Sequence, residues 1–445
     1  MTQASRVDSR STRSPANVRS LLVTVLNSKM ATFLQRKVTP NRLLLLIGQL
    51  WAVPILMIIR LIRPLVIIRI DCLQSEYLGH YAGNVELHLC ERDHGINSLS
   101  KRHIDLWFNL TNVVSNKQLE IMWKRELIIL PRVLLAPVYR LNRVVPFGQV
   151  HQIESTYHDR DVNNLLGTQP PHLAFTPEEE ETGRRLLSEM GIPNEAPFVC
   201  FNVRDGAFHG QKQFTNYRNA DVRRYLLAAE ELTKRGFYVV RMGKKVERRL
   251  ESNNKKILDY ASSAFRNDFM DIYLGAKCFF SISTSSGWDN VPGVLFRRPV
   301  LYTNVVPISQ VQTWNSNTIA ILKRHWLTTQ KRFLTQSEIF HLVDKDFVSS
   351  WPKFDELGIV LIENTEEEIR DAAIEMVDTL LLNGKETTKK ENRKQSEFWN
   401  LYMQNLTRSN LRHLHGEIRL RMGAKFLETA VELTQDTIDP IVSGQ

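Results

Sequence analysis

Between residues 198 and 305 the chain repeats one pattern, and that pattern restricts the fold more than any other feature. A short apolar run, Phe198-Val-Cys-Phe-Asn-Val203, is followed by a long polar loop from Arg204 to Ala220. An amphipathic stretch from Asp221 to Lys234 comes next, with Tyr225, Leu226, Ala229 and Leu232 on one helical face, and Gly236 stops it. Phe237-Tyr-Val-Val-Arg241 is a second apolar run and Lys256 to Tyr260 a weaker one. A short helix from Asp268 to Ala276, a strand from Cys278 to Ile282, a helix from Trp288 to Phe296 and a strand beginning at Pro299 complete the series. Buried strands alternating with helices pair in parallel through right-handed crossovers, which predicts a doubly wound α/β sheet.

The amino half alternates in the same way. Val66 to Ile70 reads as a strand, Ser75 to Asn84 as a polar loop, and Val85 to Cys90 as a strand by its apolar–polar alternation. Ile104 to Leu110 and Leu127 to Leu130 read as further strands, and Asn116 to Glu126 and Arg132 to Asn142 as helices. Residues 143–175 are loop-rich. Thr176-Pro-Glu-Glu179 is a capping box that opens a helix closed by Gly191. Gly358 to Ile362 reads as a strand and Thr365 to Leu381 as a helix, and the last fifty residues are mostly helical in pattern. A chain of 445 residues is too long for one ordinary core. The expected division is a basic, unstructured segment (1–40), an apolar helix (41–65), an amino-terminal Rossmann-like domain (66–190), a carboxyl-terminal Rossmann-like domain (191–395) and terminal helices (396–445).

The net charge is +10, so the chain suits anionic partners. The densest positive runs flank an uncharged stretch of seventeen residues, Leu43 to Ile59. Arg60, Arg63 and Arg69 follow it, and no acid occurs until Asp71. Lipid accounts for that arrangement, and no nucleic-acid motif appears, so nucleic acid is not an expected partner. The stretch is short for a span and is interrupted by Gly48, Gln49 and Pro54. The expectation is a helix lying on the inner face of the cytoplasmic membrane. The four cysteines, Cys72, Cys90, Cys200 and Cys278, lie in or beside apolar runs without a C-x-x-C pair, which suits free thiols in a reducing compartment.

Ligands of doubly wound sheets bind at the carboxyl ends of the strands. Ser283, Thr284, Ser285, Ser286 and Gly287 follow an apolar strand at such an end and precede a helix start. Hydroxyls, unpaired backbone N–H groups and a glycine suit a diphosphate, although the same residues also suit plain helix capping. Arg204 with Asp205, and Arg241 with Gly243 and Lys244, follow the two neighbouring strands. Guanidinium groups bind phosphate in bidentate fashion and keep their charge. Tyr217-Arg218-Asn219 precedes the next helix and can read phosphate or ribose, or only cap that helix.

These residues resemble a family. The stretches "FNVRDGAFHGQKQFTNYRNADVRRYLLAAEELTKRGFYVVRMGKK" and "FFSISTSSGWDNVPGVLFRRPVLYTNVVP", with "RLIRPLVIIRIDCLQSEYLGHYAGNVELHL" in the amino half, resemble glycosyltransferases of bacterial surface-polysaccharide (lipopolysaccharide, O-antigen, capsule) gene clusters. Asn202-Val203-Arg204-Asp205 is more distantly similar to the H-x-R motif of GT-B fucosyltransferases, with Asn202 in place of histidine. The resemblance implies a GT-B-like fold of two Rossmann-like domains facing a cleft. It implies a nucleotide-sugar donor on the carboxyl domain and a glycan or lipid-linked acceptor on the amino domain. Arg204, Arg241, Lys244 and the Thr284–Gly287 segment would stabilise the leaving diphosphate without metal or other cofactor. His80 is the first candidate for general base and Asp205 the second. Asp289 and Asn290 are placed to touch ribose or sugar hydroxyls. The strings Asp159-Arg-Asp161 and Asp344-Lys-Asp346 match the D-x-D metal motif of another glycosyltransferase class, but neither follows an apolar strand. Trp288, Trp314 and Trp326 suit stacking on a base or sugar, or a place in the core. The rival expectations are a sugar-nucleotide epimerase or pyruvyl transferase of the same architecture, and a non-catalytic membrane-bound binding subunit.

Overall fold

The computed structural model describes residues 40–96, 99, 101–153, 160–207, 213–342, 354–381, 389–408 and 416–432. The basic segment 1–39 and Asp159, Asp344 and Asp346 lie outside the described residues.

The amino-terminal unit runs α1 (Pro40–Leu61), β1 (Ile67–Leu73), α2 (Leu78–Asp93), β2 (His103–Asn109), α3 (Lys117–Glu126), β3 (Ile128–Ile129) and α4 (Arg132–Val144). Its three strands are parallel in the order β1-β2-β3. Side chains alternate across the pleat. Ile68, Ile70 and Phe108 face α1 and α4, where they pack with Ala52, Leu56, Ile59 and Val138. Leu73 and Trp107 face α2 and α3, where they meet Tyr81, Val85, Leu119 and Trp123. Arg69 and Asp105 are register partners on adjacent strands and form a buried bidentate pair at 2.6 and 2.7 Å. Among the described residues no helix is long and apolar enough to cross a membrane.

One expectation fails in this unit. The loop predicted over Ser75 to Asn84 holds only to Tyr77, and its remainder joins the strand predicted over Val85 to Cys90 in the helix α2. The alternation there was formed by Glu86 and His88, and both are buried. Helix α2 lies between its own sheet and the second unit, so polar residues also point into protein. Arg297 and His172 both meet Glu86 Oε1. Burial all round erased the periodicity by which a helix is normally read.

The second unit follows α5 (Pro177–Glu189), which opens with the expected Thr176–Glu179 capping box. It contains β4 (Phe198–Asn202), α6 (Leu226–Lys234), β5 (Tyr238–Arg241), β6 (Ile257–Leu258), α7 (Asp268–Lys277), β7 (Phe280–Ser283), β8 (Val300–Val305) and β9 (Thr318–Leu322). A small antiparallel sheet of β10 (Arg324–Leu327), β11 (Arg332–Phe333) and β12 (Ile359–Ile362) follows. Helix α8 (Gln336–Leu342) lies between β11 and β12, and α9 (Glu366–Leu381), α10 (Lys389–Arg408), β13 (Arg421–Met422) and α11 (Ala424–Glu432) come after the small sheet. The main sheet has seven parallel strands in the order β13-β9-β8-β7-β4-β5-β6. The strand expected at Gly358–Ile362 is present as β12 and lies in the small antiparallel sheet. One other reading is corrected. The helix expected from Trp288 to Phe296 is one turn of 3-10 helix (Gly287–Asp289) followed by one π turn (Val291–Leu295), with Pro292 withholding an N–H inside it.

The two units share a core. Leu73, Tyr81 and Trp123 from the first pack with Cys200, Val240, Met270, Trp288 and Val291 from the second. These packed side chains join the two units along this interface. Asn116 Nδ2 donates to the Asp268 carbonyl at 2.8 Å and caps α3, so one residue serves both cores.

Candidate functional site

Strand order dictates where this sheet can bind. Counting from β4, the first three strands run outward on one side (β4, β5, β6) and the next three on the other (β7, β8, β9). The winding of the sheet reverses between β4 and β7, and sheets of this kind bind their ligands in a crevice beyond the carboxyl ends of the strands at that point. Asn202 and Ser283 are register partners at that point. The segments Asn202–Asp205 and Ser283–Gly287 therefore lie side by side.

The two segments are tied together. The Arg204 backbone N–H donates to Thr284 Oγ1 at 2.9 Å, and Asn202 Nδ2 donates to Ser286 Oγ at 2.6 Å. Asp289 organises the hydroxyl loop from beneath. It accepts from Ser283 Oγ, from the Ser286 N–H at 2.6 Å and from Ser286 Oγ at 3.1 Å. Ser285 takes a left-handed backbone, φ +61°, which an L side chain rarely adopts and which costs on the order of 1 kcal/mol. The Arg218 guanidinium donates to the Ser285 carbonyl.

Arg218 and Arg204 converge on this loop. Arg204 Nε donates to Asn219 Oδ1 at 3.4 Å. Burial, and then the Arg218 charge, push the Arg204 pKa down to about 10, and burial lowers that of Arg218. Arg218 Nε is buried without a hydrogen-bond partner. Two crowded guanidinium groups, two hydroxyls and a strained turn are an arrangement that an anion would relieve.

Lys323 was not anticipated from the sequence. It lies just past β9, is 4% exposed, and donates to the carbonyls of Tyr217 at 3.0 Å and Asn219 at 2.5 Å. It thus brackets Arg218, and burial lowers its pKa to about 8. The signal was a cation at the end of an apolar run, the same signal that marked Arg204. Tyr217 packs its ring against Phe354.

Other expected members lie apart from the crevice or serve its frame. Arg241 is fully buried and donates to Asp259 Oδ1 at 3.0 Å and to the Arg248 carbonyl at 2.9 Å. Gly243 has φ +155°, and a Cβ there would meet Val246 at 2.7 Å. Lys244 donates to the Ser115 carbonyl at 2.8 Å and so reaches the first unit. Asp205 accepts from the N–H groups of Ala207 and Glu247, at 3.1 and 2.8 Å. Asp289 is buried in the loop rather than presented at its surface. Asn290 donates to the Gly79 carbonyl at 2.8 Å and accepts from Gln312. Trp288 and Trp314 are buried, and Trp326 stands edge-on to Phe333.

Helix α2 begins against the hydroxyl loop. The backbones of Gly79 and Gly287 touch: a Cβ on Gly79 would lie 2.9 Å from the Gly287 Cα. His80 is the next residue, half-buried and edge-on to the Tyr77 ring at 6.0 Å. The first turn of α2 has no side-chain cap on its N–H groups.

The described residues contain one cluster with metal-ligand chemistry, Glu86, Cys90 and His172. Arg297 Nη2 already stands 2.7 Å from Glu86 Oε1 and 3.4 Å from Cys90 Sγ. His172 contacts Glu86 and Asp93, and against the opposing effect of burial its interactions with Cys90, Glu86 and Asp93 raise its pKa to about 10. The positions a metal would use are filled by organic cations, and the cluster locks α2 to the second unit. Asp161, from one D-x-D string, accepts the N–H groups of Leu165 and Leu166 at 2.8 Å each, so it caps a turn.

Asp289 gives a pH prediction. Burial raises its pKa from the ordinary carboxyl value to about 6, against the lowering effect of its hydrogen bonds and of Arg218. A raised carboxyl pKa means that the folded state holds the proton more tightly than the unfolded state. Stability is therefore lost as pH rises from the ordinary value through about 6, by up to about 3 kcal/mol. The wild type minus Asp289→Asn difference in unfolding free energy should become less favourable to wild type across that window. A pH-independent difference would contradict the assignment.

No family model and no curated protein matches the sequence. Two of the solved structures to which the chain is weakly similar are the following. One is the glycosyl transferase family 9 structure from Veillonella parvula DSM 2008, at TM-score 0.40 and 12% identity over 72% of this chain and 99% of that one. The other is the glycotransferase of kitacinnamycin, at TM-score 0.23 and 10% identity over 78% of this chain and 80% of that one.

Proposed function

We propose that this chain is a GT-B-type glycosyltransferase that moves a sugar from a nucleoside diphosphate donor to a membrane-associated glycan or lipid-linked acceptor. The observation that carries the reading is the meeting of Arg204, tied to Thr284 through its backbone, with Arg218, bonded to the Ser285 carbonyl, at the switch point of the sheet. The resemblance of the motifs to surface-polysaccharide glycosyltransferases supports it. In this reading the diphosphate lies across the hydroxyl loop. As the glycosidic bond to the donor breaks, negative charge grows on the leaving diphosphate, and the two guanidinium groups and the Thr284 and Ser285 hydroxyls offset it. The acceptor hydroxyl attacks the anomeric carbon and gives up its proton to a base. His80 suits that role better than Asp205, whose oxygens already hold the loop at Ala207 and Glu247. Arg241, Gly243 and Lys244 act through the shape of the neighbouring loop. No metal takes part in this scheme.

Calorimetric titration with UDP, GDP, dTDP and CMP tests it. One nucleotide should bind in the micromolar range, and the matching nucleotide sugar should be hydrolysed slowly without acceptor and without loss on chelation. Failure of all four to bind would reduce the hydroxyl loop to a structural turn. Strong loss on chelation would contradict the metal-free scheme.

A further inference from the structure

The outer layer of the first unit differs from the rest of the surface. Among the described residues, ten of the nineteen exposed large apolar side chains lie on α1, α4 and the turns that follow them. Met57, Ile58, Leu61 and Leu65 come from the first segment, and Val144 and Phe147 from the second. The opposite sides of the same helices fill the core with Ala52, Leu56, Ile59, Leu135 and Val138. The helices are therefore apolar inward and outward, which a helix bounded by water is not. Arg60 Nη2 donates to the Pro146 carbonyl at 2.8 Å and joins the two carboxyl ends into one patch. Phe147 is 77% exposed although its backbone is held at φ +61°.

Charge identifies the occupant. The two segments that build this layer, residues 40–70 and 127–153, contain no aspartate or glutamate. Arg63, Arg140 and Arg143 are exposed on them. An ordinary soluble surface mixes both signs. An apolar face bordered only by arginines matches an anionic bilayer, where each arginine contributes about 1 kcal/mol near the headgroups and the apolar side chains enter the acyl boundary.

We propose that the outer face of α1 and α4, centred on Leu61, Leu65, Val144 and Phe147, docks the protein onto an anionic lipid bilayer without crossing it. The face is built from two segments distant in sequence, so it exists only in the folded unit. It is separate from the switch-point crevice, and nucleotide binding serves as its control.

The test is flotation of the full chain with phosphatidylcholine vesicles, with and without phosphatidylglycerol. Wild type should float with the anionic vesicles and be released by salt. The combined Leu61→Ser, Leu65→Ser, Val144→Ser and Phe147→Ser variant should bind them at least about ten-fold more weakly, with nucleoside diphosphate affinity unchanged. Arg140→Glu with Arg143→Glu should remove the preference for anionic lipid. Undiminished binding of the serine variant would assign attachment to the basic segment 1–39 and overturn the proposal. So would a wild type that ignores vesicles but forms a dimer that the serine variant cannot form.

Discussion

Arg204→Ala is expected to weaken nucleoside diphosphate binding about 100-fold while leaving the folded protein no less stable. A guanidinium that meets a phosphate inside protein contributes about 2 to 3 kcal/mol, which corresponds to that factor. The position of Arg204 is set by its own backbone, through the bond to Thr284 Oγ1, so truncating the side chain leaves the two loops tied. Removing it also relieves its repulsion of the buried Arg218. The two effects have opposite signs, and a merely structural arginine would not separate them. Calorimetry and chemical denaturation on the same variant read both. Wild-type affinity in the variant would remove the crevice from consideration as a donor site. Loss of affinity together with marked loss of stability would make Arg204 a structural residue. Arg204→Lys keeps the charge without the planar fork and should recover only part of the affinity.

The parts of the fold legible in the sequence were those in which burial and periodicity agree. Phe198–Val203 and the strand after Pro299 read correctly because strands covered on both faces appear as unbroken apolar runs. Helix α2 read wrongly because it is covered on nearly every side, and Glu86 and His88 point into protein instead of water. The candidate site divides in the same way. Arg204 and the hydroxyl loop were visible because each lies directly at a strand end. A strand-end charge does not reveal which neighbour it meets, however. Arg241 ends β5 on the side of β6, where Asp259 receives it, whereas Arg204 ends β4 beside β7. Lys323 escaped notice because β9 itself was not recognised, although Thr318–Leu322 is wholly buried. The exposed half of the α1–α4 layer was anticipated only for α1. Helix α4 contributes Val133, Leu134 and Val144 through tertiary placement that no local pattern records.

The junction between the units yields the second large effect. Gly79 and Gly83 lie one turn apart on α2 and both face the loop of Gly287 and Asn290, yet an added side chain should act very differently at the two positions. At Gly79 the new Cβ would lie 2.9 Å from the Gly287 Cα and 3.3 Å from the Gly287 carbonyl oxygen. Both are backbone atoms, so relief requires α2 to move away from the hydroxyl loop. At Gly83 the nearest atoms, at 3.1 and 3.2 Å, belong to the Asn290 side chain, which can give by a few tenths of an ångström at the expense of its bonds to the Gly79 carbonyl and Gln312, without any backbone moving. Alanine also favours a helix over glycine by about 1 kcal/mol, and valine by less. Overpacking against fixed backbone costs about 1 to 3 kcal/mol, and a branched side chain adds to it. Gly83→Ala should therefore be near neutral, while Gly79→Val should lose about 3 kcal/mol of stability and weaken nucleotide binding with it, because the displaced element is the wall of the crevice that carries His80. Denaturant unfolding of the two variants measures the contrast, and equal stabilities would mean that α2 does not rest on Gly287. If Gly79→Val loses stability yet binds nucleotide as wild type does, the first turn of α2 holds the units together without shaping the donor site, and His80 is then a residue of the interface alone.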